Sequence, residues 1–446
     1  MKSHRQLRTD AEVICSAALR SVSPEVSIRR VLRRRGAALC IADLSFDLSK
    51  CRHVWALGAG KAAAPMGQAV ERIIGKYLSG GFLVTKDGHG LPLERLELVE
   101  AGHPLPDARG LAAGASLTAF AEKHIGRNDL VLCLLSGGGS ALLVSPASGV
   151  SLEDKLACTR LLLNAGASIH EFNTIRKHLS CLKGGGLARL LAPARVVSLI
   201  LSDVVGDPLD TIASGPLVAD TSTFGDGLEI FRKYGLEDRI PIAVRKRFEE
   251  GSEGRIPETP KPGDPIFRRC HNLIVANNVE ACSAAALRAR RLGYHTMVLT
   301  TRLEGDTAEA AAFHLSIIEE IVAQKRPLRR PACIVSGGET TVRVTGGGAG
   351  GRNQEFALVC ARRLARLPAP CVVASLGTDG TDGPTDAAGA LVDNSTVARS
   401  LKYGSNFLEA SLRNNDSYSF FKRLGDLIVT GPTRTNVMDV HLVLIG

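Results

Sequence analysis

The residues of this chain that could do chemistry gather in short, polar, glycine-rich segments, nearly all of which follow an apolar run. Gly58-Ala-Gly60-Lys61 sets a lysine at the start of a helix-compatible stretch, and Ser136-Gly137-Gly138-Gly139-Ser140 leads into Ala141-Leu-Leu-Val144. Ser202-Asp203-Val-Val-Gly-Asp207, Ser336-Gly-Gly-Glu339, Gly377-Thr378-Asp379-Gly-Thr-Asp382-Gly383 and Thr430-Gly-Pro-Thr433 complete the set. Glycines let a backbone approach a ligand closely, and N–H groups at a helix start attract anions. The Ser136–Ser140 loop therefore reads as a phosphate cradle. Any one such segment alone would read as a turn.

Charged residues in and near these loops suggest how phosphate would be handled. Gly350-Gly-Arg352-Asn353-Gln-Glu355 puts an arginine at a helix start, where the helix dipole disfavours a cation by roughly 0.3–1 kcal/mol. An anion is expected to compensate, either Glu355 or a ligand, and the guanidinium fork suits a carboxylate or phosphate. The segment His170-Glu-Phe-Asn-Thr-Ile-Arg176-Lys177-His178 continues to Lys183-Gly184 and reads as one helix. Arg176 and Lys183, seven apart, would share a face, either a phosphate clamp or a solvated basic surface. Asp379, Asp382 and Asp386 lack EF-hand spacing. They suit Mg²⁺, which takes only one or two protein carboxylates, or else form Asx-turns. Asp203 and Asp207 are candidates for metal binding or for orienting a hydroxyl nucleophile. His103 and His178 are expected to serve as structural hydrogen-bonding groups.

Other chemistries are less well supported. Walker A spacing, zinc-protease spacing and a G-x-S-x-G elbow do not occur. Gly58-x-Gly60-x-x-Ala63 does match the looser dinucleotide fingerprint, which keeps NAD(P) binding open. The acidic residue expected about 20 residues later is displaced to Thr85-Lys86-Asp87, and Lys61 inside the motif suits a migrating phosphate better than a hydride.

Positioning these loops requires strands and helices in alternation. Apolar runs predict strands at 53–57, 81–85, 130–135, 196–201, 273–276, 295–299, 332–336, 371–376 and 439–445. Amphipathic stretches predict helices at 62–77, 152–165, 170–182, 279–292, 306–325, 353–366 and 394–402. This rhythm predicts an α/β protein with mainly parallel sheets flanked by helices, and ligands at the carboxyl ends of the strands. A Pro-, Gly- and charge-rich stretch reads as a linker over 237–270, which separates domains at 1–236 and 271–446.

Composition excludes some classes. The net charge of +10 fits anionic small substrates, and no aromatic residues are interleaved with the basic clusters as a nucleic-acid reader would need. The Arg29–Arg35 cluster reads as a solvated helix face. Eleven cysteines without C-x-x-C pairs, no apolar run of membrane-spanning length and a charged N-terminus predict a cytoplasmic protein with no membrane partner.

Taken together, ALGAGKAAAPM (56–66), EAGHPLPDARGLAAG (100–114), LSGGGSALL (135–143), NTIRKHLSCLKGGGLA (173–188), LSDVVGDPLDTIASGP (201–216), ETPKPGDP (258–265), SGGETTV (336–342), GGRNQEFAL (350–358), SLGTDGTDGPTDAAGA (375–390) and TGPTRTNV (430–437) resemble the glycerate 2-kinase family, with its C-terminal MOFRL domain. The resemblance implies a Rossmann-like N-terminal domain, a smaller MOFRL-type α/β domain and an active site in the interdomain cleft. It implies transfer of the ATP γ-phosphoryl to the 2-hydroxyl of D-glycerate with Mg²⁺, and leaves room for a homodimer. Lys61 and Arg352 fall on the family's facing lysine and arginine. Asp203 and Asp207 would join them in catalysis. Gly58, Gly60, the Ser136–Ser140 loop, Arg176, Lys183, Glu339, Asn353, Glu355 and Thr378 would bind substrate or nucleotide, and Asp379 and Asp382 would bind metal. Arg434 stands where the family usually has Gly, and Met438 where Asn is common. Because some relatives carry a hydroxypyruvate reductase label, an NAD(P)-dependent reductase is the alternative.

Overall fold

The computed structural model describes residues 2–446. The chain forms two compact units. One comprises 27–202 and 207–275, the other the chain up to Val26, the short stretch Asp203–Gly206, and Ala276–Gly446.

The first unit opens with a three-stranded antiparallel meander of β1 (Leu32–Arg35), β2 (Ala38–Ile41) and β3 (Leu44–Asp47). Arg33, Arg34 and Arg35 thus lie on a strand, not on the helix face that their charge suggested. Its main sheet holds β4 (Val54–Ala59), β5 (Gly80–Lys86), β6 (Leu96–Ala101), β7 (Leu130–Leu135), β8 (Arg195–Leu201) and β9 (Cys270–Ala276), in the order β6-β5-β4-β7-β8-β9. The pairs from β6 through β8 are all parallel. β4 and β7 are buried at every position, as strands covered on both faces must be. Helices such as Ala63–Ile74 and Ala108–His124 follow the strands, the latter capped by Asp107 on the Gly110 N–H.

The second unit has a six-stranded sheet made of β10 (His295–Leu303), β11 (Ala332–Gly338), β12 (Cys371–Gly377), β13 (Gly389–Asp393), β14 (Leu427–Ile428) and β15 (Asp439–Ile445), in the order β10-β11-β15-β12-β13-β14. Here the expectation of a mainly parallel sheet is corrected. Only β10 and β11 run parallel, and the other pairs are antiparallel. β11, β12 and β15 are fully buried, so their continuous apolar pattern reports burial on both faces, not strand direction.

The division of the chain also departs from the sequence expectation. Segment 237–270 carries the helix Ile242–Ser252 and the 3₁₀ turn Pro265–Arg269 inside the first unit, where Val244 and Phe248 are buried. The N-terminal helix His4–Ser21 belongs to the second unit: Arg8 pairs with the buried Asp393 and Asp426, and Tyr294 donates to Asp10. All eleven cysteines are unpaired. No described helix is long and apolar enough to cross a membrane.

Candidate active site

In the first unit, β4 runs into the Gly58-Ala-Gly60-Lys61 turn. The geometry gives its glycines a packing role. A Cβ on Gly58 would fall 2.0 Å from the Leu134 carbonyl oxygen on β7. Gly60 has φ +144°, and a Cβ there would fall 2.1 Å from Ser136 Oγ. Close approach between strands therefore accounts for both glycines without a dinucleotide. The turn is bound to the next loop: the Lys61 N–H donates to the Gly137 carbonyl at 2.8 Å, and the Ala62 N–H donates to Ser136 Oγ at 3.0 Å. Ser136 is 1% exposed and braces the turn rather than facing a ligand. Gly137, the left-handed Gly138 (φ +82°) and Gly139 follow, and a short helix spans Gly139–Leu142.

Gly138 brings Lys61 and His103 to one spot. A Cβ on Gly138 would lie 2.8 Å from His103 Nε2 and 3.4 Å from Lys61 Cγ. Burial lowers the His103 pKa to about 4, with Lys61, Lys86 and His89 adding to the effect. A neutral imidazole thus stands beside Lys61 at neutral pH. His89 Nδ1 donates to the Lys61 carbonyl at 3.1 Å. His178 fills the structural role expected of it: Nδ1 donates to the Thr174 carbonyl, and Nε2 meets Glu258 at 3.1 Å.

On the far side of the loop, Ser140 Oγ lies 2.9 Å from Ser214 Oγ, which donates to Asn173 Oδ1 at 3.1 Å. Ala213 and Ser214 hold left-handed φ values of 50° and 60°, a conformation uncommon for non-glycine residues. The expected helix over 170–184 ends at His178, so Arg176 and Lys183 do not share a helix face. Arg176 lies 4.0 Å over the Phe172 ring. Lys183 is 3% exposed and its Nζ donates to the Leu143 carbonyl at 2.8 Å.

In the second unit the helix Arg352–Leu364 starts at Gly351. Asp382, expected as a metal ligand, instead caps this helix. Its Oδ1 accepts from the Asn353 N–H and Nδ2, and its Oδ2 from the Gln354 N–H at 2.8 Å. Both oxygens of a carboxylate that is 3% exposed are therefore engaged by the helix start. Arg352 is compensated by residues other than Glu355. Its Nε meets Asp439 Oδ2 at 2.6 Å and its Nη1 meets Glu339 Oε1 at 2.6 Å. Burial pushes the Asp439 carboxyl up to about 7 against the pull of Arg352. Glu355 accepts from Asn415 Nδ2 and is itself raised by burial.

Asn353 and Thr378, expected to touch ligand, are engaged within the fold. Asn353 donates to Asp382 and Asp439 and accepts from Ser375 Oγ at 2.7 Å. Thr378 donates to the Met438 carbonyl and accepts from the Val437 N–H. Asp379 is half-buried; its Oδ1 accepts from the Thr381 N–H and hydroxyl, forming an Asx-turn. Asp203 and Asp207 fall in different units, Asp203 accepting from Asn436 Nδ2 at 3.2 Å. Among the described residues no group of three or more His, Cys, Asp or Glu side chains is arranged to hold a metal. Sequence reasoning missed Asp439, Asn173 and Ser214. Asp439 carried one signal, a lone acid at the head of an apolar strand.

A domain of unknown function (DUF4147) matches residues 10–249, and the MOFRL family matches 332–439. A glycerate 2-kinase from Pyrococcus horikoshii is 40% identical across 96% of this chain and 95% of its own length. A D-glycerate 2-kinase from Thermotoga maritima is 42% identical across 94% and 96%. The crystal structure of a glycerate kinase from Thermotoga maritima superimposes with a TM-score of 0.88 at 39% identity, covering 99% of this chain and all of that one. With a lysine turn clasped to a glycine loop, an arginine braced by two carboxylates, and this likeness along nearly the whole length, the chain belongs to the glycerate 2-kinase family.

Proposed function

We propose that this protein transfers the γ-phosphoryl group of ATP to the 2-hydroxyl of D-glycerate, giving 2-phosphoglycerate and ADP. The observation that carries the reading is the clasp between the Lys61 N–H and the Gly137 carbonyl, which fixes a lysine at the phosphate-cradling loop. Phosphoryl transfer asks an enzyme mainly for positioning and charge neutralisation. Lys61 is assigned the charge on the migrating phosphoryl, and the Ser136–Ser140 backbone the nucleotide phosphates. The neutral His103 adds no charge of its own beside Lys61. Arg352, locked in orientation by Asp439, is assigned the acceptor's carboxylate, with the half-exposed Glu339 as the partner that yields to it. Asp203 or Asp207 would orient the attacking hydroxyl.

Mg²⁺ usually keeps several waters and takes one or two protein carboxylates together with substrate phosphates. Asp379 fits that limited demand, and Asp382 does not, because the helix start engages it. When bound, the ion would neutralise phosphate charge. A dinucleotide reductase is the weaker reading, since Leu134 and Ser136 already occupy the space that Gly58 and Gly60 leave.

A coupled ADP-release assay with ATP, Mg²⁺ and D-glycerate tests the proposal. Glycerate-dependent ADP release is expected. Steady loss of NADH absorbance with hydroxypyruvate, without ADP release, would sink it.

A further inference from the structure

Three cations of the first unit lack acidic partners. Lys155 lies on the helix Leu152–Asn164, Arg176 on the helix Ile169–His178, and Lys183 in the segment that follows. No carboxylate bears on any of the three, and they bear on one another: Arg176 on Lys155, and both on Lys183. The neighbouring Lys177 shows the usual arrangement, with Asp220 at 3.3 Å and Asp210 at 3.6 Å. Taking an ion out of water is unfavourable unless an opposite charge offsets it. Burial first, then mutual repulsion, lowers Lys155 to about 8 and holds Lys183 well below its ordinary range.

The cluster borders the glycine loop. Lys183 holds the Leu143 carbonyl, one residue past the short helix that follows Ser136–Ser140. Asn173, one turn before Arg176, reaches Ser140 through Ser214. Asn173 is 4% exposed, yet its Nδ2 has no partner. A buried amide donor without an acceptor and three cations without an anion lack the same thing. Buried polar groups are otherwise almost always satisfied.

We propose that Lys155, Arg176 and Lys183, with the Asn173 amide, seat the phosphate chain of the nucleotide beside the Ser136–Ser140 loop. This rests on the nucleotide reading given above and adds Lys155, Asn173 and Ser214 to it. Three cations match a chain carrying several negative charges better than the single carboxylate of glycerate.

Calorimetric titration of the full chain with inorganic tripolyphosphate, and separately with D-glycerate, tests the assignment. Tripolyphosphate should bind the wild type and weaken at least tenfold in Lys155→Met and Lys183→Met, and about threefold in Asn173→Ala, with D-glycerate affinity held within twofold. No tripolyphosphate binding, binding within twofold of wild type in the lysine variants, or a loss confined to D-glycerate overturns the proposal. If Lys183→Met fails to fold, the half-buried Lys155→Met decides alone. ADP release by the wild type separates the two readings. Turnover with tripolyphosphate binding indifferent to Lys155 removes the phosphate seat and keeps the kinase. Lys155-dependent binding without turnover does the reverse.

Discussion

Arg352 Nε lies 2.6 Å from Asp439 Oδ2, and Asp439, the first residue of β15, is fully buried. The second oxygen, Oδ1, accepts from Arg352 Nη2 at 3.2 Å and from Asn353 Nδ2 at 2.9 Å. A planar guanidinium held along one edge by a buried carboxylate loses most of its rotational freedom. Asp439→Asn keeps the size and removes the charge. We expect turnover to fall about tenfold, or ~1.4 kcal/mol, and stability to fall by about 1–3 kcal/mol, as for an under-satisfied buried group. Steady-state kinetics and urea unfolding measure the two separately, and unchanged turnover would contradict the positioning role.

Lys61 is the cation fixed at the glycine loop by its own backbone. Lys61→Met keeps the stem and removes the charge. Turnover should drop by about 10²–10³, or ~3–4 kcal/mol, as when one preorganised charge-stabilising donor is lost. The backbone clasp to Gly137 does not need the amine and should survive the substitution. Near-normal turnover in this variant would defeat the assignment.

His103 should titrate abnormally. Its folded pKa of about 4 lies below the ordinary 6.5 because burial, and then Lys61, oppose protonation. Between those pH values the unfolded chain binds more protons than the folded one. Stability therefore rises with pH through that window and is lost as pH falls through it. NMR titration should show a neutral imidazole at pH 5.5, and His103→Gln should flatten the slope of stability against pH. An imidazole half-protonated near pH 6.5 would contradict the burial argument.

Gly138 is left-handed at φ +82°, and its α-carbon faces both Lys61 and His103. Alanine there meets a conformational cost of roughly 1–2 kcal/mol and a clash 2.8 Å from His103 Nε2. Gly138→Ala should lower both stability and turnover. The double variant with His103→Ala should recover part of the stability loss, a coupling that a thermodynamic cycle reads directly.

Asp382 and Asp379 can be told apart. Asp382→Ala removes the acceptor for the Asn353 and Gln354 N–H groups, and should cost about 0.5–2 kcal/mol, as cap removal does. It should leave the Mg²⁺ concentration for half-maximal activity unchanged. Asp379→Asn should raise that concentration several-fold. The opposite pattern in a metal titration would return the metal role to Asp382.

The sequence by itself determined which segments matter and the class of fold. Apolar runs mark most of the strands that end in a candidate loop, from β4 at 54–59 to β12 at 371–377, because burial on both faces demands unbroken apolar sequence. Short, edge or charged strands escaped notice: β6 reads Leu-Glu-Leu-Val-Glu-Ala, and β1 is Leu-Arg-Arg-Arg. Only the tertiary structure decided strand direction in the second sheet, because a strand buried on both faces has the same composition whichever way it runs. It alone decided which carboxylate does what. Asp382, Asp379 and Asp439 look alike in sequence, and they differ in whether a helix start, a turn or an arginine claims their oxygens. It also gathered Lys155, Asn173 and Ser214, which lie apart along the chain, because a shared burial environment is a property of packing and leaves no periodic trace in sequence.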